Sequence, residues 1–175
     1  MKNRLFYMLL FVMLVAVDIH QAEASRDTRS DHRFGGGMNY WVTLEDIKSD
    51  DKKFDKSGVA YLASYQYWPS LLGLEFDLEF LPDRFGETAF APEAFILFGR
   101  SIYCGAGIGI IYSDETFAEE PFFALRAGLN LELLPDLYAD LYCNYRFNDT
   151  TELEGKETNI DTDTVFLGAA LRLAL

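Results

Sequence analysis

The sequence lacks most of the features by which a function is commonly read. It has two cysteines and two histidines, and its 15 Lys and Arg residues are outnumbered by 28 Asp and Glu. The basic residues are scattered, which argues against a nucleic-acid partner, since phosphate binding uses clustered Lys and Arg to release counterions. No Pro-, Ser- or Gly-rich stretch separates two halves, so the 175 residues fit a single domain behind a leader. The apolar run Leu5–Val17 falls short of the roughly 17 to 25 residues that a spanning helix needs.

That run reads instead as the centre of a cleavable signal peptide. Lys2 and Arg4 precede it, and Ala22-Glu23-Ala24 supplies the small-x-small pattern read by signal peptidase. Residues 1–24 are therefore expected to be a signal peptide, 25–33 a short N-terminal periplasmic segment and 34–175 the folded domain. No Cys follows the cleavage site, which argues against a lipid-anchored lipoprotein. His32 is then the one histidine of the mature chain, and it lies outside the loops. A Ser/His or Asp/His site at the loops would lack its base, which is the strongest argument against catalysis.

From residue 34 onward the dominant period is two, not the 3.6 of a helix. In the third segment Leu72, Leu74, Phe76, Leu78 and Phe80 share one face, and Gly73, Glu75, Asp77 and Glu79 share the other. Seven further segments alternate in the same way, around Met38–Leu44, Val59–Tyr67, Phe90–Phe98, Ile102–Ile110, Phe123–Leu133, Leu137–Phe147 and Val165–Leu175. The fourth is the weakest, because Pro92 would interrupt a ladder. One row of every segment is aliphatic or aromatic and uncharged. The opposite row mixes small and polar residues, is rich in Gly and is poor in Lys.

A soluble barrel keeps its apolar row inside and wets the outer one with Lys, Glu and Ser. Here the small residues belong on a crowded concave interior, so the apolar row faces outward into lipid. Only a closed barrel leaves no unpaired N–H and C=O groups there. The fold expected is all-β, an eight-stranded antiparallel up-and-down transmembrane β-barrel. The connections agree with it, since links after segments one, three, five and seven (45–57, 82–88, 113–121, 148–163) are longer and polar. Those after two, four and six are tight turns at Pro69-Ser70, Gly99-Arg100-Ser101 and Pro135-Asp136. Long external loops alternating with short periplasmic turns are the habit of such barrels. Phe80, Phe90, Tyr112, Phe123, Tyr145 and Phe147 then lie at external strand ends and Tyr67 and Phe98 at periplasmic ends, the positions of an aromatic girdle.

The inward rows carry Glu75, Asp77, Glu79, Glu93, Glu132 and Asp140 against Arg126, Arg146 and Arg172. An eight-stranded barrel is only wide enough for its own side chains, so these charges are expected to form a paired network plugging the lumen. Cys104 and Cys143 fall on non-adjacent strands about 10 Å apart, too far for a disulfide, and are expected to be small buried or lipid-facing residues. Gly105-Ala106-Gly107-Ile108-Gly109 lies within a strand with no helix after it and reads as lumenal packing, not as a nucleotide loop. Asp46, Asp50, Asp51, Asp161 and Asp163 match no calcium-loop spacing and read as solvated charge. No cofactor and no metal is implied.

On these segments, the leader and the terminal strand Val165–Leu175, the chain resembles the small eight-stranded outer-membrane proteins of the OmpA and OmpX kind. The resemblance implies an outer-membrane location, outer-membrane lipids as surroundings and recognition of the last strand by the barrel assembly machinery. That strand ends in Leu175, where the family most often has Phe. The resulting expectation is a noncatalytic barrel contributing to envelope structure, or to adhesion or ligand contact through its external loops, whose ligand the sequence does not reveal. A soluble lipocalin-like carrier and an outer-membrane lipid-modifying enzyme are the alternatives.

Overall fold

The computed structural model describes residues 31–44, 56–84, 87–113, 116–152 and 159–175. The expected signal peptide (1–24), most of the periplasmic segment, and Asp46, Asp50 and Asp51 lie outside the described residues. Among the described residues there are ten strands: β1 His32–Thr43, β2 Ser57–Tyr67, β3 Leu72–Arg84, β4 Glu87–Gly99, β5 Ile102–Gly109, β6 Tyr112–Ser113, β7 Thr116–Phe117, β8 Phe122–Leu134, β9 Leu137–Glu152 and β10 Asn159–Ala174. Eight of them make the wall in the order β3-β2-β1-β10-β9-β8-β5-β4, and the β3–β4 pairing closes the ring; β6 and β7 form a small hairpin continuing the wall beside β4. All pairings are antiparallel, and β1 and β10 meet from Arg33↔Ala174 to Thr43↔Thr164.

Three tight turns gather at one end of the barrel, at Trp68–Leu71, Arg100-Ser101 and Pro135-Asp136. Gly99 (φ 117°) and Asp136 (φ 66°) supply the left-handed backbone that two of them need. Both described ends of the chain lie at this same end, where Leu175 N–H donates to the His32 carbonyl.

The polar links are shorter than the sequence implies, because the ladders run on past the apolar stretch. β3 and β4 continue to Arg84 and from Glu87, β9 and β10 extend to Glu152 and from Asn159, and β6 and β7 occupy part of 113–121. A hairpin needs apolar side chains only where lipid touches it, and backbone pairing can continue into water. β1 begins at His32, two residues before the expected domain start at 34. Pro92 stays within β4, opposite Leu78, and its exposed ring faces outward. The interruption falls on the other flank, where β5 stops at Gly109 and Ile110 N–H reaches the Pro92 carbonyl at 3.2 Å before the wall resumes at β6. With no N–H of its own, Pro92 cannot hold that edge in a regular ladder.

The alternating faces are oriented as the lipid argument requires. Leu74, Phe76, Leu129 and Leu171 are 40, 52, 43 and 54 % exposed on the outside, whereas Asp77 and Arg126 are 4 and 2 % exposed within. Leaving that many large apolar side chains open to solvent is intelligible only if the solvent is hydrocarbon.

Candidate functional site: the lumenal charge belt

Midway along the lumen the inward rows of five strands bring five carboxylates and three guanidiniums together: Glu75, Asp77 and Glu79 from β3, Glu93 from β4, Arg126 from β8, Asp140 and Arg146 from β9, and Arg172 from β10. Each guanidinium serves two carboxylates. Arg126 Nη1 donates to Asp77 Oδ2 at 2.8 Å and lies 3.1 Å from Glu75 Oε2. Arg146 Nη2 donates to Glu79 Oε2 at 2.6 Å and also to Glu93 Oε1. Arg172 uses Nη1 for Asp140, Nη2 for Glu75 and Nε for the Ser64 hydroxyl at 2.9 Å. Neutral donors complete the belt: Tyr103 OH donates to both Asp140 oxygens at 2.9 Å, and Asn39 Nδ2 donates to Glu79 while its Oδ1 accepts from Tyr142 OH at 2.7 Å. Burying such charges is tolerable only because they are paired this densely.

The flat faces of the same guanidiniums lie on aromatic rings. Arg126 Cζ stands 3.7 Å from the Phe95 ring centroid and 4.5 Å from that of Tyr142. Arg146 stands 3.8 Å from Phe166 and 4.6 Å from Phe122. The planar ion thus meets carboxylates at its edge and rings on its faces. The rings belong to two buried apolar clusters on either side of the belt: Trp41, Leu81, Ile111, Phe122 and Phe166 toward the long-hairpin end, and Leu62, Trp68, Phe95, Leu97, Tyr103 and Tyr142 toward the tight turns. Glycines make room for them. A Cβ at Gly168 would stand 2.2 Å from Tyr142 Cζ, and one at Gly128 2.6 Å from Tyr103 Cζ.

Eight of the nine charged residues singled out in the sequence meet in this belt. Glu132 is the departure: it is exposed, next to a register shift between Glu132 and Leu134, because β8 there has passed the enclosed section and reached the tight-turn rim. Sequence reasoning missed two further buried cations. Arg33 stacks on Tyr138 at 3.7 Å and on Trp68 at 5.5 Å near the tight turns, and Arg84 lies 5.7 Å from Trp41 at the other end. It also missed the inward Trp68, Phe95, Phe122 and Phe166. Their places in the inner rows were visible as alternation, but not their meeting with the arginines.

On the outer face Phe90, Phe98 and Phe123 are exposed, and Tyr67, Phe80, Tyr112, Tyr145 and Phe147 are half-buried. Phe80 meets Phe90 at 5.0 Å and Tyr145 meets Phe147 at 4.6 Å between centroids, while Tyr145 OH donates to Asp163 Oδ2 at 2.5 Å. A second aromatic group stands at the tight-turn end, where His32 Nδ1 pairs with Tyr65 OH at 2.8 Å and the His32 ring lies 4.8 Å from that of Tyr67. Cys104 and Cys143 are free and exposed on the outer face, in one row with Ala127 between them. Gly105, Gly107 and Gly109 lie in β5 with no helix following.

A closed eight-stranded wall, an uncharged apolar exterior and an enclosed belt of ion pairs define a transmembrane β-barrel of the outer-membrane type. No protein-family model and no curated protein matches the sequence. Among solved structures, the chain is similar to Neisserial surface protein A, with a TM-score of 0.62 and 13 % identity over 85 % of this chain and 100 % of that one. It is also similar to the outer membrane protein AlkL, solved in lipid bilayers, with a TM-score of 0.53 and 13 % identity over 85 % of this chain and 91 % of that one. At such identities the likeness is one of fold.

Proposed function

We propose that the protein is a noncatalytic integral outer-membrane barrel with a plugged lumen, whose external hairpins serve envelope structure or contact with an external ligand. The observation that carries the plug is the belt itself: all eight of its charged residues are 5 % exposed or less, and apolar clusters close over both sides. The uncharged exterior speaks against a soluble carrier, which would need that surface wetted. The location follows the two similar structures, one named for the cell surface and the other for the outer membrane. Residues 1–24 would direct export, and β10 would present the strand read by the assembly machinery. His32 stands at the tight-turn rim, remote from the long hairpins where an enzyme acting on external lipid would need a base.

The test is conductance. Purified barrel reconstituted in planar phosphatidylcholine bilayers is expected to leave them electrically silent, while cell fractionation finds it in the outer membrane as a heat-modifiable species. Steady, voltage-independent channels from the wild-type protein would overturn the plug.

A further inference from the structure

The belt is not neutral by itself. Its five carboxylates and three guanidiniums leave two formal negative charges in excess, and in a lumen ringed by lipid an unbalanced charge is costly and acts over a long range. Two further charged side chains are buried among the described residues, and both are cations: Arg33 near the tight turns and Arg84 toward the long hairpins. They bring the enclosed set to five acids and five arginines. Composition alone favours a different ratio, since the chain has 28 Asp and Glu against 15 Lys and Arg. Neither arginine comes with a buried acid of its own, because no sixth carboxylate is buried among the described residues. Both lie beside rings, with Arg33 Cζ 3.7 Å from the Tyr138 centroid and Arg84 Cζ 5.7 Å from that of Trp41, and a ring holds a guanidinium without cancelling its charge. Arg33 also feels the belt directly, attracted by Asp140 and repelled by Arg172, with Arg100 repelling it from the rim.

We propose that Arg33 and Arg84 are the counterions that the belt lacks, one toward each mouth, and that they make the enclosed lumen neutral, so that it takes up no inorganic cation from the water at either end. The arrangement divides two tasks. The three belt arginines fix the carboxylates in place by contact, and the two outer ones cancel the remaining charge at a distance. Unit charges about 10 Å apart at an effective dielectric of about 20 attract enough to change a folding equilibrium by about tenfold, so contact is not needed. Removing either outer arginine turns the lumen into a cation site. A small ion such as potassium would then be drawn to the belt, whereas a bulky organic cation would not fit an eight-stranded barrel filled by its own side chains.

This rests on the plugged reading, and the two fail separately. The experiment is urea unfolding in phosphatidylcholine vesicles of the wild type, Arg33→Met and the double variant Arg33→Met with Asp140→Asn, each in potassium chloride and in N-methylglucamine chloride at equal ionic strength. Both salts screen surface charge alike, so the difference between them reads an ion inside. The wild type is expected to respond equally to the two. Arg33→Met is expected to have a folding equilibrium constant about tenfold higher in potassium chloride than in the bulky salt, and the double variant, neutral again, to lose that difference. A wild type favoured by potassium would overturn the inference. So would an Arg33→Met barrel indifferent to the two salts, which would leave Arg33 a ring-stacking element alone, or a double variant that keeps the difference. Should Arg33→Met not insert, Arg84→Met carries the same test from the other mouth. A conducting wild type would sink the plug, and a silent one that gains stability from potassium would sink this inference and leave the plug standing.

Discussion

Along β8 the side chains of Leu125, Leu129 and Leu131 look outward and those of Ala124, Arg126 and Asn130 look inward, and the two rows are specified in different ways. An outward position asks only to be apolar and uncharged, because acyl chains have no fixed shape and accept an apolar side chain of any outline. An inward position asks for one residue at one place. Arg126 must reach Glu75, Asp77, Phe95 and Tyr142 at once, and those come from three other strands. The outer row is thus a matter of composition, and the inner row a matter of fit.

Substitutions in the two rows test that contrast. The largest effect is expected for Arg146→Ala, which strips Glu79 and Glu93 of their shared cation and empties the space between Phe122 and Phe166. A loss of about 3–5 kcal/mol is expected, read from urea unfolding in lipid vesicles, and a change below about 1 kcal/mol would show that the belt is hydrated. Next comes Leu129→Arg on the lipid side, expected to cost about 2–4 kcal/mol near mid-membrane. A neutral result there would break the assignment of the faces. Gly168→Ala pushes a methyl group into the Tyr142 ring and should cost about 1–3 kcal/mol. The double variant Gly168→Ala with Tyr142→Leu should recover part of that loss in a thermodynamic cycle, because the added Cβ clashes with the ring as well as with Asn39 Oδ1. The smallest effect belongs to the cysteines: Cys104→Ala and Cys143→Ala are expected to change stability by within about 0.5 kcal/mol. Both thiols should react with a lipid-soluble maleimide and be protected from a charged one, and equal labelling by the two reagents would contradict their lipid-facing position.

The contrast between the rows also explains what could be read from the chain. A period of two is a local signal, so the strands, their faces, the tight turns and the inward placement of Asp77, Arg126 and Arg172 were legible in the sequence. How far each ladder continues was not, since pairing at 82–84 or 148–152 depends on the partner strand and not on side-chain alternation. Nor was the layering of the lumen. Which residues share a level is set by the tilt and stagger of the closed wall, and that is how Phe95 from β4 comes to lie under Arg126 from β8. Glu132 shares the inner row of β8 with Arg126 yet stands outside the belt, since alternation gives a side but not a height. Arg33 and Arg84 were passed over for a related reason: their contacts with the rings of Tyr138, Trp68 and Trp41 leave no charge pattern to notice.

The seam between β1 and β10 joins the two strands farthest apart in sequence, and β10 is also the strand that carries Arg172. Until that strand docks, Glu75 and Asp140 wait without their common counterion, and the open wall has two raw edges. Ring closure and delivery of the third guanidinium are then a single event. A barrel stalled one strand short would be both sticky at its margins and a cation poorer at its heart, so one docking step removes two separate faults.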